Sequence, residues 1–295
     1  MKILAIIVSY NFQKWINTCL GSLLHSDYPV DILVIDNCSS DNTVSIIQKQ
    51  YPNIRLILNN ANLGFGQANN IGLKIASTEN YDAVLLLNQD AWIDSNVIST
   101  LIEINRIHPD YGILSPIQLS GDRNKLEYGF SKYIGINSLS DISKEDVVPT
   151  NFINAAIWFI PIDIIKKVGM FAPLFYHYGE DKDLANRVKY AKYKIGYSPI
   201  IFGCHDREHR VVSRKNFFHA EYVYLLSEYT NINYSFTIAF CYGILAGFQK
   251  SLIALLHGHI HKSITFFQIT LRILAQTRKV CTTRKESLNH IKHCQ

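Results

Sequence analysis

The chain has little to tie it together covalently. Its six cysteines, Cys19, Cys38, Cys204, Cys241, Cys281 and Cys294, are scattered without paired spacing, which argues against a disulfide framework or a zinc knuckle and points to a reducing compartment. Met1 and Lys2 run straight into the strand-like Ile3 to Val8, with no signal-peptide core and no small-residue cleavage site, so a cytoplasmic location is expected. Long apolar runs are also missing. Phe236 to Phe248 is interrupted by Gln249, Lys250 and Ser251 before Leu252 to Leu256, short of the ~20 residues that cross a bilayer. Acid is scarce in one place: beyond Glu228 a single acidic residue, Glu286, stands against eight Lys or Arg, whereas the chain up to Glu228 has 21 bases and 23 acids. Such a tail suits an anionic surface, and without a stacking-aromatic or zinc motif that surface is expected to be phospholipid and not nucleic acid.

What the chain does have is apolar content, 48% of 295 residues, enough to bury a large core in one α/β domain with an appendage. Strand and helix patterns alternate along the first third: Ile3 to Val8, Trp15 to Leu24, Ile32 to Ile35, Thr43 to Gln50, Ile54 to Leu58, Gln67 to Ala76 and Ala83 to Leu87. This is the βαβ rhythm of a parallel sheet, in which the loops after the strands gather at one edge. Those loops are Ser9, Tyr10, Asn11; Asp36, Asn37; Asn59 to Gly66; and Asn88, Gln89, Asp90. The run Ala83 to Leu87, wholly apolar and stopping on Asn88, Gln89, Asp90, predicts a buried strand that delivers a carboxylate to a cleft. Asp90 suits a hard divalent cation of the kind shared with nucleotide phosphates. Asp36 sits at a strand tip ahead of the capping oxygens of Ser39, Ser40 and Asp41, where a carboxylate can accept the imide NH of a uracil or thymine.

The segment Asn62 to Gly72 has the outline of a dinucleotide fingerprint, but Asn69 replaces the third glycine and no acid closes the next strand, so a dehydrogenase is set aside. Gly64 and Gly66 instead predict close backbone approach to a ligand, or positive φ. A helix over Val97 to Ile107 and a strand over Gly112 to Ile117 continue the domain. Ser120 to Pro149 is irregular, and an apolar strand is expected over Asn151 to Ile160, followed by a short helix from Pro161 to near Gly169. Next, an aromatic loop, Phe171 to Tyr178, empties into Gly179, Glu180, Asp181, Lys182, Asp183. One acid suffices to cap a helix, whereas three crowded beside aromatics raise one carboxyl toward general-base duty. An Asp183 to Arg187 pair across one helical turn would leave Asp181 the freer base.

The order of these motifs resembles glycosyltransferase family 2, inverting enzymes with one nucleotide-sugar-binding α/β domain. The likeness runs from Ile3 to His205 through Val8 to Asn11, Val34 to Asn37, Asn62 to Phe65, Leu86 to Asp90 and Gly179 to Asp181. The Leu, Asn, Gln, Asp version is similar to the rhamnosyltransferase branch that builds bacterial surface polysaccharides such as O-antigen. The resemblance implies a mainly parallel, Rossmann-like domain of glycosyltransferase-A type with a helical C-terminal appendage. It implies Asp181 as base, with Glu180 beside it, and donor contacts from Ser9, Tyr10, Asn11, Asp36, Asn62, Gly64, Phe65, Gly66, Asn69, Asn88, Gln89 and Asp90. Mg2+ or Mn2+ would be bound by Asp90 and His205; His209 and Arg210 are further candidates for phosphate.

Two positions depart from the family: Asn88 stands where many relatives carry an acid, and Asn154, Ala155, Ala156 replaces a pattern that often contains glycine. The expected donor is dTDP-L-rhamnose, with a UDP-sugar as the alternative, and the expected acceptor is a lipid-linked glycan. A glycosyltransferase-fold scaffold without turnover is the competing class. The expected organisation is a catalytic domain over 1–215, with a donor half to 118 and an acceptor half from 119, then a basic helical region over 216–295. That region is expected to lie in the plane of the inner membrane face, a homo-oligomer contact being the alternative use of its apolar helix; His257, His259 and His261 read as a polar hinge.

Overall fold

The computed structural model describes residues 1–207 and 213–293. His209 and Arg210 therefore lie outside the described residues. The first half alternates as β1 (Ile3–Ser9), α1 (Ile16–Leu24), β2 (Asp31–Asp36), α2 (Thr43–Gln50), β3 (Arg55–Leu58), α3 (Gly64–Thr78) and β4 (Ala83–Leu87). It continues with β5 (Ala91–Ile93), α4 (Val97–Ile107), β6 (Tyr111–Leu119) and α5 (Tyr128–Ile134). Then come β7 (Val148–Thr150), β8 (Ile157–Pro161), α6 (Ile162–Val168), α7 (Glu180–Tyr190) and β9 (Lys194–His205). Helices α8 (Arg214–Thr230), α9 (Phe236–Phe240), α10 (Ala246–Leu256), α11 (Ile260–Leu274) and α12 (Thr277–His293) follow.

The strands form one sheet in the order β3-β2-β1-β4-β8-β6-β9-β5, with β7 also on β9. β1 to β4 run parallel, each crossover being helical, so their four C-terminal loops share one edge. β8 enters between β4 and β6 antiparallel to both, and β6 runs parallel to β9. All five residues of β4 are buried, because helices cover both faces at the centre of the sheet. Leu86 and Val84 pack in one core with Trp158 and Leu73, while Leu85 and Leu87 pack in the other with Phe12 and Leu101. Each such side chain contributes about 1.5 to 3 kcal/mol of transfer free energy. The unbroken Ala83 to Leu87 run is thus a two-faced central strand, as its lack of alternation predicts.

Three local expectations are corrected. The strand expected over Asn151 to Ile160 starts only at Ile157, and Asn154 to Ala156 is irregular backbone. The helix expected from Gln67 starts at Gly64, so the glycine segment is its first turn. The two apolar stretches run on through Gln249 to Ser251 within α10, and a π-helical segment, Cys241–Leu245, joins α9 to α10 in one 21-residue helix, Phe236–Leu256, long and apolar enough by composition to cross a membrane. A third of its apolar window is buried against α8 and α11, where Tyr229 and Leu225 pack with Ile244 and Ile273. The three histidines mark the turn between α10 and α11. The cysteines among the described residues, Cys19, Cys38, Cys204, Cys241 and Cys281, are free thiols.

Candidate active site

A cavity of about 490 Å³ opens where the loops after β1, β2, β3 and β4 meet the start of α7. Of the residues expected from sequence, it brings together Tyr10, Asn62, Gly64, Phe65, Asn88, Gln89, Asp90, Glu180 and Asp181. The loops are fastened to one another first. The side-chain amide of Gln89 accepts from the Tyr10 backbone N–H at 2.8 Å and donates to the Tyr10 carbonyl at 3.1 Å, clasping the first loop to the fourth. Asn37 donates to the Gly64 carbonyl at 3.2 Å and accepts from Asn59 at 2.9 Å, tying the second loop to the third.

Other expected residues frame the cavity without lining it. Asp36 is 2% exposed, and its carboxylate accepts from Ser9 Oγ, Ser39 N and Ser39 Oγ at 2.8, 2.9 and 2.5 Å. With both oxygens taken by its own chain, it shapes the loop, and the neighbouring Asn37 faces the cavity instead. Ser9 is fully buried beneath it. Asn11 holds a left-handed backbone, φ 53°, and accepts from the Ser40 N–H. Asn69 is 1% exposed and bonds back to the Phe65 carbonyl within α3. Gly64 has φ +77°, and a Cβ there would lie 2.0 Å from the Tyr176 carbonyl oxygen. The close approach foreseen at this glycine is made to the chain itself. Gly66 lets α3 come within contact of Phe171 and Glu180.

His205 also stands behind the cavity wall, fully buried. The antiparallel pairing of β5 with β9 sets Ala91 opposite His205, and this register carries its Nε2 to 3.4 Å from Asp90 Oδ1 and 3.3 Å from Asn88 Nδ2. Burial pushes the Asp90 carboxyl up, but its hydrogen bond to His205 and the charges of His205 and Arg207 hold it below the usual carboxylate range. Asn88 Oδ1 and His205 Nδ1 are buried without a hydrogen-bond partner. Among the described residues no group of three or more His, Cys, Asp or Glu side chains is placed to hold a metal ion by itself. An anionic carboxylate, an imidazole nitrogen and an unpartnered amide oxygen are nevertheless a donor set suited to Mg2+ or Mn2+ when substrate oxygens complete the shell.

The acidic pair comes from the first turn of α7. Tyr178 and Gly179 are both left-handed, φ 69° and 92°, and the reversal they make sets Glu180 and Asp181 against the cavity. Arg187 fixes this turn from below: it pairs with Asp183 at 2.9 Å and donates to the carbonyls of Val168, Gly169 and Met170 at 2.6, 3.1 and 2.8 Å, both partners being almost fully buried. Burial raises the Asp181 carboxyl above its usual range, opposed by the N–H groups of Lys182 and Ala155 and the charge of Arg207. Burial and then the Asp181 charge push Glu180 up to about 8. Both carboxyls are thus held toward their protonated forms, and the two titrate as a pair.

Sequence reasoning missed Asn37, Asn154 to Ala156, Tyr176 to Tyr178 and Arg207 as cavity walls. Asn37 was signalled by standing next to a strand-tip acid. The others come from loops, where periodicity is silent.

A parallel four-strand edge extended by antiparallel strands, with helices on both faces, is the glycosyltransferase-A type of fold. The chain belongs to glycosyl transferase family 2, whose sequence model matches residues 4–156. It is 24% identical over 232 residues to the N-acetylglucosaminyl-diphospho-decaprenol L-rhamnosyltransferase of Mycobacterium tuberculosis, covering 69% of this chain and 76% of that protein. It is 31% identical over 104 residues to the poly(ribitol-phosphate) beta-N-acetylglucosaminyltransferase TarS of Staphylococcus aureus, 33% of this chain and 18% of TarS. The crystal structure of TarS residues 1–349 with UDP superposes with a TM-score of 0.56 at 16% identity, covering all of this chain and 90% of that one. The structure of GalNAc-T7 with UDP, GalNAc and Mn2+ gives 0.54 at 12% identity, over 76% and 47% of the two chains.

Proposed function

We propose that this protein is an inverting, metal-assisted sugar transferase that moves L-rhamnose from dTDP-L-rhamnose to a hydroxyl of a lipid-linked glycan. The observation that carries this reading is one cavity lined by both Asp181 and Asp90, with His205 behind the wall at 3.4 Å from the Asp90 carboxylate. The first is suited to removing a proton, the second to holding a cation. The names of the relatives add a rhamnosyltransferase acting on a diphospho-polyprenol, and the lipid-linked acceptor is inferred from it. The crystal structures of TarS hold UDP and UDP-GlcNAc, which keeps a UDP-sugar as the second reading of the donor.

In this reading the loops after β1, β2 and β3 hold the nucleoside. Asp181 takes the proton of the acceptor hydroxyl as that oxygen bonds to the anomeric carbon from the face opposite the leaving group. The bond from that carbon to the diphosphate oxygen breaks, the electron pair leaves with the nucleoside diphosphate, and the configuration inverts. General-base assistance of this kind contributes roughly a hundred- to ten-thousand-fold. Protonated Glu180 adds no second negative charge beside the departing diphosphate, and Arg207 brings a positive one. Asp90 and His205 with the Asn88 amide oxygen would hold Mg2+ or Mn2+, which when bound would supply charge neutralisation for the leaving diphosphate.

The test is turnover of a nucleotide-sugar panel by the purified chain with membrane lipid extract, with and without chelator. Transfer from one donor that chelator abolishes and Asp181→Asn cripples supports the reading. Tight nucleotide binding without turnover of any donor would favour a scaffold, for which the Asn88 departure is the one feature that speaks.

A further inference from the structure

The helices beyond α8 keep apolar surface in the open. Leu245, Leu252 and Leu255 of the long helix are 51, 55 and 52% exposed, and on α11 Ile264, Phe267 and Leu271 are 49, 47 and 43% exposed. The first set recurs at steps of seven and three residues and the second at three and four, so each forms a stripe along its helix. The stripes adjoin through Phe248, which falls in line with Leu245 and Leu252 and meets the Phe267 ring at 5.7 Å. Behind the stripes the two helices are locked together by Ser251, whose Oγ bonds the Ser263 carbonyl at 2.9 Å. At the hairpin turn lies a second, open cavity of about 650 Å³, lined by Arg214, Lys262, His259, His261 and the aromatic rings of Phe217 and Phe218. No carboxylate is among the described residues that line it.

We propose that this hairpin beds its apolar stripes in one leaflet of an anionic phospholipid membrane and takes a lipid headgroup phosphate in the cavity at its turn. Three features select this occupant. A second copy docked about a twofold axis along the helices would bring the basic turns of the two chains together, with no carboxylate among the described residues that line them. A span across the bilayer would require the long helix to leave α8, where Tyr229 fills the surface over Gly243, and would strip Lys250 from its ion pair with Glu221. An apolar face bordered by cations is what an interfacial helix presents to anionic lipid. The assignment stands apart from the transferase reading, because vesicle binding is measured without a sugar donor.

The experiment is co-sedimentation of the full chain with vesicles of phosphatidylcholine alone and of phosphatidylcholine containing phosphatidylglycerol. The wild type is expected to sediment with the anionic vesicles and at least about tenfold less with the neutral ones. Leu252→Glu with Phe267→Glu, both at exposed positions, is expected to cut anionic partition more than about tenfold. Lys262→Glu with Arg214→Glu is expected to erase the preference for phosphatidylglycerol. Circular dichroism spectra and urea unfolding midpoints identical to wild type establish that the variants are folded. Wild-type protein left in the supernatant with anionic vesicles, or folded variants that partition like wild type, overturns the proposal. So does a lipid-free dimer that Leu252→Glu dissociates, since it would hand the stripes to a second copy.

Discussion

Raising the pH from 5 to 8.5 should cost this protein stability, and Glu180 is the reason. Its carboxyl moves from the ordinary 4.5 to about 8 because burial withdraws it from water and Asp181 lies beside it. A group whose affinity for its proton is higher folded than unfolded keeps the native state protonated while the unfolded chain ionises. Stability is therefore undiminished below about 4.5, falls as pH rises through the window, and levels off above about 8. At about 1.4 kcal/mol per pH unit the ceiling is ~5 kcal/mol; coupled titration with Asp181 brings the expected loss to a few kcal/mol. Urea unfolding of the wild type and of Glu180→Gln, followed by circular dichroism across that pH range, measures it. The glutamine retains the size and the neutral form, so its curve should be flatter and lie above wild type at pH 8.5. Parallel pH profiles for the two proteins would refute the raised carboxyl of Glu180.

Asp181→Asn should lower the transfer rate roughly a hundred- to ten-thousand-fold with nucleotide affinity unchanged, measured by rate assays beside calorimetric titration of nucleotide; equal losses in both would remove it as base. Asp90→Ala should abolish stimulation of turnover by Mg2+ or Mn2+, read from metal titrations of activity. Arg187→Leu strands the buried Asp183 carboxylate and three carbonyls, for an expected loss of about 3 to 5 kcal/mol, which denaturant melts would show. Gly64→Ala must expel the Tyr176 carbonyl from its place and should weaken nucleotide binding while the far-ultraviolet spectrum stays native.

The central sheet could be read from the chain because its signals are local. Ala83 to Leu87 is apolar without alternation, and Thr43 to Gln50 and Val97 to Ile107 have the spacing of amphipathic helices whose bounds the structure repeats. The Asp183 to Arg187 pair was legible for the same reason, being one helical turn long. What escaped depends on distant partners. Ser39 stands three residues from Asp36, but nothing near it announces that Ser9 will also bond its carboxylate and close it into the loop. The left-handed turn at Gly64 was foreseen, yet only the fold reveals that its neighbour is Tyr176. The single long helix Phe236–Leu256 was hidden by Gln249 to Ser251, since polar residues that break an apolar run do not break a helix whose packing satisfies them: Lys250 finds Glu221 and Ser251 finds Ser263.

The antiparallel strand β8, wedged between β4 and β6, has a consequence for how the chain is made. As synthesis proceeds from the N-terminus, β1 to β4 can associate as they emerge, but the flank of β4 stays open until residues 157–161 arrive. β6, already out, has no strand to join until then, and the Asp90 loop meets His205 only when β9 is complete. During that interval a hydrophobic strand edge is exposed at the ribosome, where such edges invite misassociation. The first four strands alone do not enclose the cavity, because its α7 wall arrives late. Binding of a fluorescent nucleotide to stalled nascent chains should therefore appear in one step, once β9 has cleared the exit tunnel, and not grow with length.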